Sequence, residues 1–199
     1  MRDRRRRRHD KPGSVRIIGG QWRSRRIVIP AATLVRPTPD RVRETLFNWL
    51  APQLSGAVCL DLYAGSGALG FEALSRGASK VVFVESDIRL KAAIEANARE
   101  LCGDASTAAE VHATTAEKYL GPESPGTAKF DITFLDPPYD QPLADIFERL
   151  RPHMSDNGQI YIERAAADGL PELTRAEWSK RGSAGAVRFG LAYLTYGSE

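Results

Sequence analysis

Residues 60–70, LDLYAGSGALG, join an apolar run to a helix-like run through three glycines spaced Gly65-x-Gly67-x-x-Gly70. Few local patterns restrict a fold as strongly. A strand that enters such a loop and leaves it as a helix is the opening unit of a doubly wound parallel sheet, whose ligands bind beyond the carboxyl ends of the strands. Glycine lets the backbone approach a ligand with no Cβ in between. The spacing matches the dinucleotide fingerprint, yet three glycines alone do not separate a dinucleotide from another adenosine cofactor.

The rest of the chain agrees with that opening. Strands are predicted at 57–62, 80–85, 108–112, 130–135 and 157–163, and helices at 68–76, 87–101, 115–120 and 141–150. This alternation predicts an α/β fold with a mostly parallel sheet covered on both faces. The end breaks the rhythm. Residues 174–181 and 186–196 read as two strands joined by a glycine-rich turn with no helix between them, a reversed hairpin uncommon in a dinucleotide domain. Upstream, 15–18 and 27–29 are β-branched runs flanking Gly19-Gly20, which predicts a hairpin with its turn at the glycines. In RPTPDRVRETLFNWL, Thr38 is placed as N-cap, Pro39 as first helical residue and Asp40 in the first turn. Val42, Leu46, Trp49 and Leu50 form the apolar face, Arg41, Arg43 and Glu44 point elsewhere, and Pro52 ends the helix. The chain thus divides into a basic, disordered tail over 1–12, a hairpin extension over 13–35 and an α/β domain over 36–199.

Charge is unevenly spread. Residues 1–48 hold 14 Lys and Arg against 4 Asp and Glu, whereas the remainder holds 14 against 21. A basic front on an acidic body suits a polyanion-binding face attached to a working domain. Arg16, Arg23, Arg25 and Arg26 decorate the hairpin, where phosphate contacts would suit RNA. Trp22 among them either stacks on a base or packs the hairpin down. Cys59 and Cys102 have no metal or redox spacing, and His9, His112 and His153 are scattered, so no metal site is expected. No apolar run is long enough for a membrane span and none follows the arginine-rich start, which predicts a cytoplasmic location.

Residues beside the glycines narrow the cofactor. Asp61 stands four positions before Gly65, at the expected strand end. A carboxylate there repels a pyrophosphate and attracts a cationic amino acid, which favours S-adenosylmethionine over NAD. Glu85, ending the second strand of the unit, suits ribose hydroxyls of either cofactor, with Asp87 the better helix cap. The run FDITFLDPPYD then delivers Asp136-Pro137-Pro138-Tyr139 at another strand end. Two prolines remove N–H donors and leave carbonyls free. Asp136 and the Pro137 carbonyl can accept the two protons of an exocyclic NH₂, with Tyr139 stacking on its ring.

With RIIGGQWRSRRI, RPTPDRVRETLFNWL, LDLYAGSGALGFEALSRGA and FDITFLDPPYD in hand, the chain resembles the class I S-adenosylmethionine-dependent methyltransferases. More closely, from about Val15 onward it resembles the bacterial family that methylates a guanine N2 of 16S ribosomal RNA. The resemblance implies a seven-stranded sheet with a reversed final hairpin, preceded by an N-terminal β-hairpin. It implies that Asp61, Tyr63, Gly65, Ser66, Gly67 and Glu85 hold S-adenosylmethionine, and that Asp136, Pro137 and Tyr139 hold the guanine. Arg36 and Arg41 would join the hairpin arginines on RNA, within a 30S subunit or an assembly intermediate and with no obligate protein partner. Two features depart from the family pattern. Thr114 and Thr115 stand where an acid or amide often reads the adenine amine, and residues 1–12 have no counterpart. The same pocket type serves DNA adenine-N6 methyltransferases, though 199 residues leave little room for their recognition domain. A non-catalytic RNA-binding assembly protein is the remaining alternative.

Overall fold

A computed structural model describes residues 12–31, 33, 38–103, 107–122, 129–137, 143–173 and 176–195. Along the chain run β1 (Gly13–Arg16), β2 (Arg26–Ile29), α1 (Asp40–Leu54), β3 (Val58–Asp61), α2 (Ala68–Ser75), β4 (Lys80–Glu85) and α3 (Ile88–Cys102). After them come β5 (Ala109–Ala113), α4 (Ala116–Tyr119), β6 (Phe130–Leu135), α5 (Ala144–Leu150), β7 (Met154–Ala165), β8 (Ala176–Ala184) and β9 (Val187–Leu194).

Seven strands pair in the order β5-β4-β3-β6-β7-β9-β8. Those from β5 to β7 are parallel, while β9 lies antiparallel between β7 and β8. Strand order reverses beside β3: the chain winds to β4 and β5 on one side, then returns to β6 on the other. A crevice opens at such a switch point, at the carboxyl ends of β3 and β6.

Both faces of the sheet are covered, so its inner strands read as apolar runs rather than alternations. One face packs Phe47 of α1, Phe71 of α2, Phe83 and Phe134 with Ile17 and Ile27 of the hairpin region. The other packs Leu60, Val82, Val84 and Ile160 against Tyr119 of α4 and Ile146 and Leu150 of α5. The β1-β2 hairpin is a separate two-stranded sheet whose inward side chains, Val15, Ile27 and Ile29, enter the first of these cores.

Four local expectations change. The hairpin strands end before the glycines, and residues 17–25 form a longer connection in which Ser24 N donates to the Ile17 carbonyl at 2.9 Å. Gly19-Gly20 is not the turn but a contact with α2. A Cβ on Gly20 would fall 1.8 Å from the Ser75 carbonyl oxygen, and one on Gly19 would fall 2.5 Å from the Arg76 guanidinium. Helix α1 continues through Pro52 to Leu54, because a proline this near the end forfeits little and Leu54 still extends the buried face. Pro39, not Thr38, is the N-cap, and the Thr38 hydroxyl is engaged elsewhere. Finally, Arg43 does not point outward: it is fully buried.

That burial is compensated. Arg43 Nη2 donates to Asp40 Oδ1 at 2.7 Å and to the Arg16 carbonyl at 2.9 Å, and Nε donates to the Thr38 carbonyl at 3.2 Å. Its Nη1 faces Glu72 Oε2 at 3.5 Å. Glu72, also fully buried, accepts from the backbone N–H of Ile18 and Gly19, each at 2.8 Å, and from Arg76 Nε at 2.7 Å. One carboxylate on α2 thereby ties together α1, the hairpin connection and its own helix.

Candidate active site

Strand β3 ends in Asp61, which is 3% exposed. Its Oδ2 accepts from Gly70 N at 3.0 Å, across the glycine loop. Burial pushes the carboxyl up to about 7, Glu85 adds to the rise, and the Gly70 N–H opposes it. Gly65 and Gly67 take φ values of +53° and +76°, in the left-handed region that glycine enters freely. Gly70 serves packing instead: a Cβ there would lie 2.2 Å from Phe83 Cε1.

Glu85, at the end of β4, braces the same loop. Its Oε2 accepts from Gly65 N at 2.8 Å and its Oε1 from Asp87 N at 2.7 Å. Asp87 caps α3 as the sequence suggests, accepting from Arg89 N at 2.8 Å. Ser66 is buried within the loop and Tyr63 is half-buried before it. Thr115 is occupied as the cap of α4.

Beyond β6 the chain enters Asp136, half-buried, and Pro137, buried. Burial raises the Asp136 carboxyl well above the usual carboxylate range; Glu163 and Asp61 raise it further, and Arg164 works against them. Pro138 and Tyr139 lie outside the described residues, as do Arg36 and residues 1–11.

Glu163 carries a role that the sequence reading missed. Leu135 of β6 pairs with Ile162 of β7, so Asp136, the first residue beyond β6, follows next to Glu163 of β7. Side chains in register on parallel strands share a face, which makes this the face of Phe134 and Tyr161. Glu163 is 4% exposed; it accepts from the Tyr161 hydroxyl at 2.7 Å and from the Thr38 hydroxyl. An acid ending the apolar run QIYIE was the available signal, legible only once β7 was set in register with β6.

The arginines predicted to meet RNA divide. Arg16 and Arg26 line a groove of about 430 Å³ with Ser14, Thr38 and Asp40, between the hairpin and the start of α1. Arg16 pairs with Asp40 at 3.2 Å and Arg26 donates to Ser14 Oγ at 2.9 Å. Arg25 reaches Glu100 on α3 at 3.0 Å, while Arg23 and Arg41 are exposed. Trp22 resolves toward packing, partly buried against the first core.

Loop, acids and strand ends therefore meet at the carboxyl end of the central strands. A family model described as "Conserved hypothetical protein 95" matches residues 15–193. The "Ribosomal RNA small subunit methyltransferase D" of Escherichia coli is 41% identical over 174 residues, covering 86% of this chain and 84% of that protein. The chain belongs to this family. The protein of the same name from Haemophilus influenzae is 38% identical over 184 residues, covering 90% and 93%. The solved structure "Putative methyltransferase yhhF from Escherichia coli" superposes with a TM-score of 0.79 at 36% identity, covering 92% of this chain and 99% of that one. Family membership agrees with the methyltransferase sheet and its reversed final hairpin. None of the described helices is long and apolar enough to cross a membrane.

Proposed function

We propose that this chain transfers the methyl group of S-adenosylmethionine to the exocyclic N2 of a guanine in small-subunit (16S) ribosomal RNA. The observation that carries this reading is Asp136-Pro137 at the end of β6, beside the glycine loop at the switch point, in a chain whose relatives bear the name of ribosomal RNA methyltransferases.

The acidic groups around the loop fit this cofactor. Asp61 and Glu85 flank a cradle of left-handed glycines. Two carboxylates suit an ammonium group and a ribose diol, and oppose a pyrophosphate. Tyr63 and Ser66 complete the lining. Bound there, the cofactor supplies an activated sulfonium methyl and is left as S-adenosylhomocysteine.

The chain's own part is recognition and alignment. Asp136 and the Pro137 carbonyl accept the two N2 protons and so aim the nitrogen lone pair along the line of transfer, while Tyr139 stacks on the base. Such alignment is worth about 7–11 kcal/mol in well-oriented intramolecular reactions. The proton shed as the N–C bond forms passes to Asp136, whose raised affinity for a proton suits it to hold one. Residues 13–35 act as the RNA-contacting arm and 36–199 as the catalytic domain. Arg16, Arg23, Arg25, Arg26, Arg36 and Arg41 contact phosphates, so binding weakens with salt. The substrate is a 30S subunit or assembly intermediate in the cytoplasm.

The test is transfer of label from radioactive S-adenosylmethionine to small subunits lacking the modification, to free ribosomal RNA and to duplex DNA, followed by nucleoside digestion. Labelled N2-methylguanosine from the subunits supports the proposal. Label confined to N6-methyladenine would replace it with the DNA reading.

A further inference from the structure

Glu163 is a buried carboxylate that needs a purpose. Among the described residues its partners are the hydroxyls of Tyr161 and Thr38, and no lysine or arginine forms an ion pair with it. Holding a carboxylate in such a place is costly without a cation or several N–H donors. Anchoring Tyr161 and Thr38 does not require a charge, since a glutamine oxygen would accept both hydroxyls. The register ends with Leu135 opposite Ile162 on strands roughly 5 Å apart, so the next residue on each side is Asp136 and Glu163, and the charge of Glu163 acts on Asp136. Both carboxyls are held above their ordinary range, chiefly by burial, and Glu163 itself pushes Asp136 upward. Two acids forced together at the edge of a pocket are matched by a ligand that brings adjacent donors.

Guanine has that edge. Its N1–H and N2–H₂ are neighbouring donors, whereas adenine and cytosine each set one amine beside a ring nitrogen that only accepts. Resting on the guanine-N2 reading above, we infer that Glu163 is the specificity residue of this site, accepting the guanine N1–H while Asp136 accepts from N2. With Glu163 ionised, adenine would turn its N1 lone pair toward the carboxylate and be repelled. The aspartate motif alone selects an amine; the second carboxylate selects which base carries it. Thr38 and Tyr161 then aim Glu163. Thr38 stands at the entry to α1, next to the groove of Arg16 and Arg26, so the residues that orient the base reader adjoin the arm that meets the RNA.

The test uses 2-aminopurine, which keeps the N2 amine but has no N1 hydrogen. Once the labelled guanine is mapped, particles are assembled with guanosine or 2-aminopurine riboside at that position, and kcat/KM is measured for the parent and Glu163→Gln. The glutamine amide can donate to the bare N1 of 2-aminopurine. The guanine preference of the parent is expected to fall roughly 10- to 100-fold in the variant. This ratio is internal to each enzyme and so independent of how much of a preparation is folded. An unchanged ratio, with both rates lowered in parallel, would assign Glu163 to scaffolding and overturn the inference while N2-methylguanosine from the parent upheld the reaction. Absence of N2-methylguanosine from the parent would overturn both.

Discussion

Replacing Glu72 by glutamine changes one atom's chemistry at the point where three parts of the molecule meet. The carboxylate accepts from three donors, the N–H groups of Ile18 and Gly19 and the Arg76 guanidinium, and faces Nη1 of Arg43 across an ion pair at 3.5 Å. That nitrogen has no hydrogen-bond partner among the described residues, so Glu72 is the charge that answers it. An amide keeps one acceptor and turns two N–H donors toward groups that are themselves donors. Removing one member of a buried ion pair costs about 3–5 kcal/mol, because its partner stays buried and uncompensated. The single hydrogen bonds to a charged group, about 1.5–3 kcal/mol each, overlap with that figure and do not add to it. Against a total stability of about 5–15 kcal/mol the loss is large. For a domain of this size it corresponds to a melting temperature lower by roughly 6–20 °C. Urea unfolding of parent and Glu72→Gln measures it directly, with exposed Glu44→Gln as control, expected within about 0.5 kcal/mol of the parent. Trypsin provides the second readout: an undocked connection exposes Arg23, Arg25 and Arg26 to cleavage in the variant. A loss under about 1 kcal/mol with unchanged cleavage would refute the claim that this carboxylate anchors the hairpin.

Gly70→Ala is expected to destabilise the protein by about 1–3 kcal/mol despite alanine's better helix propensity, since its Cβ meets fully buried Phe83; calorimetric melting checks this, and a more stable variant would show that α2 shifts freely. Asp61, raised to about 7, is protonated below that pH and ionised above it, so affinity for a cationic cofactor should rise about tenfold from pH 6 to pH 8 and level off. Isothermal titration with S-adenosylmethionine measures the trend, and Asp61→Asn should bind weakly with little pH dependence. The same shift affects folding in the opposite sense: the native state holds this proton more tightly than the unfolded chain, so its contribution is fullest below about pH 4 and declines toward pH 7. Asp136→Ala should abolish transfer while leaving S-adenosylmethionine affinity within about twofold, read by quench-flow and titration together; equal activity would remove Asp136 from the mechanism.

What the sequence made legible was local. The glycine loop, β4 and β6 lie where their patterns put them, because each is set by a few adjacent residues: an apolar run, then a glycine or an acid at its end. Asp87 is likewise a cap that can be named from its neighbours. The misreadings share one cause, which is that a distant partner decides. A helical projection sets Arg43 between Leu50 and Phe47, but its charge argues for solvent, and its burial makes sense only with Glu72 and the hairpin in place. Gly19-Gly20 satisfies the chemistry of a tight turn, but its small size is used against the backbone of Ser75. Glu163 is an ordinary strand-ending acid until the register of β7 on β6 sets it beside Asp136.

The docking of the hairpin also fixes an order of assembly. A lone two-stranded hairpin is marginal in water, and the carboxylate that receives Ile18 and Gly19 lies 54 and 53 residues further along the chain. At about 5–20 residues per second of synthesis, the arm emerges roughly 3–10 s before its seat on α2 exists. Throughout that interval its arginines and its isoleucines are exposed together. The arm leaves the ribosome before its seat exists and is thus among the last parts to become native, and its completion reports that α2, which begins directly after the cofactor loop, has already formed.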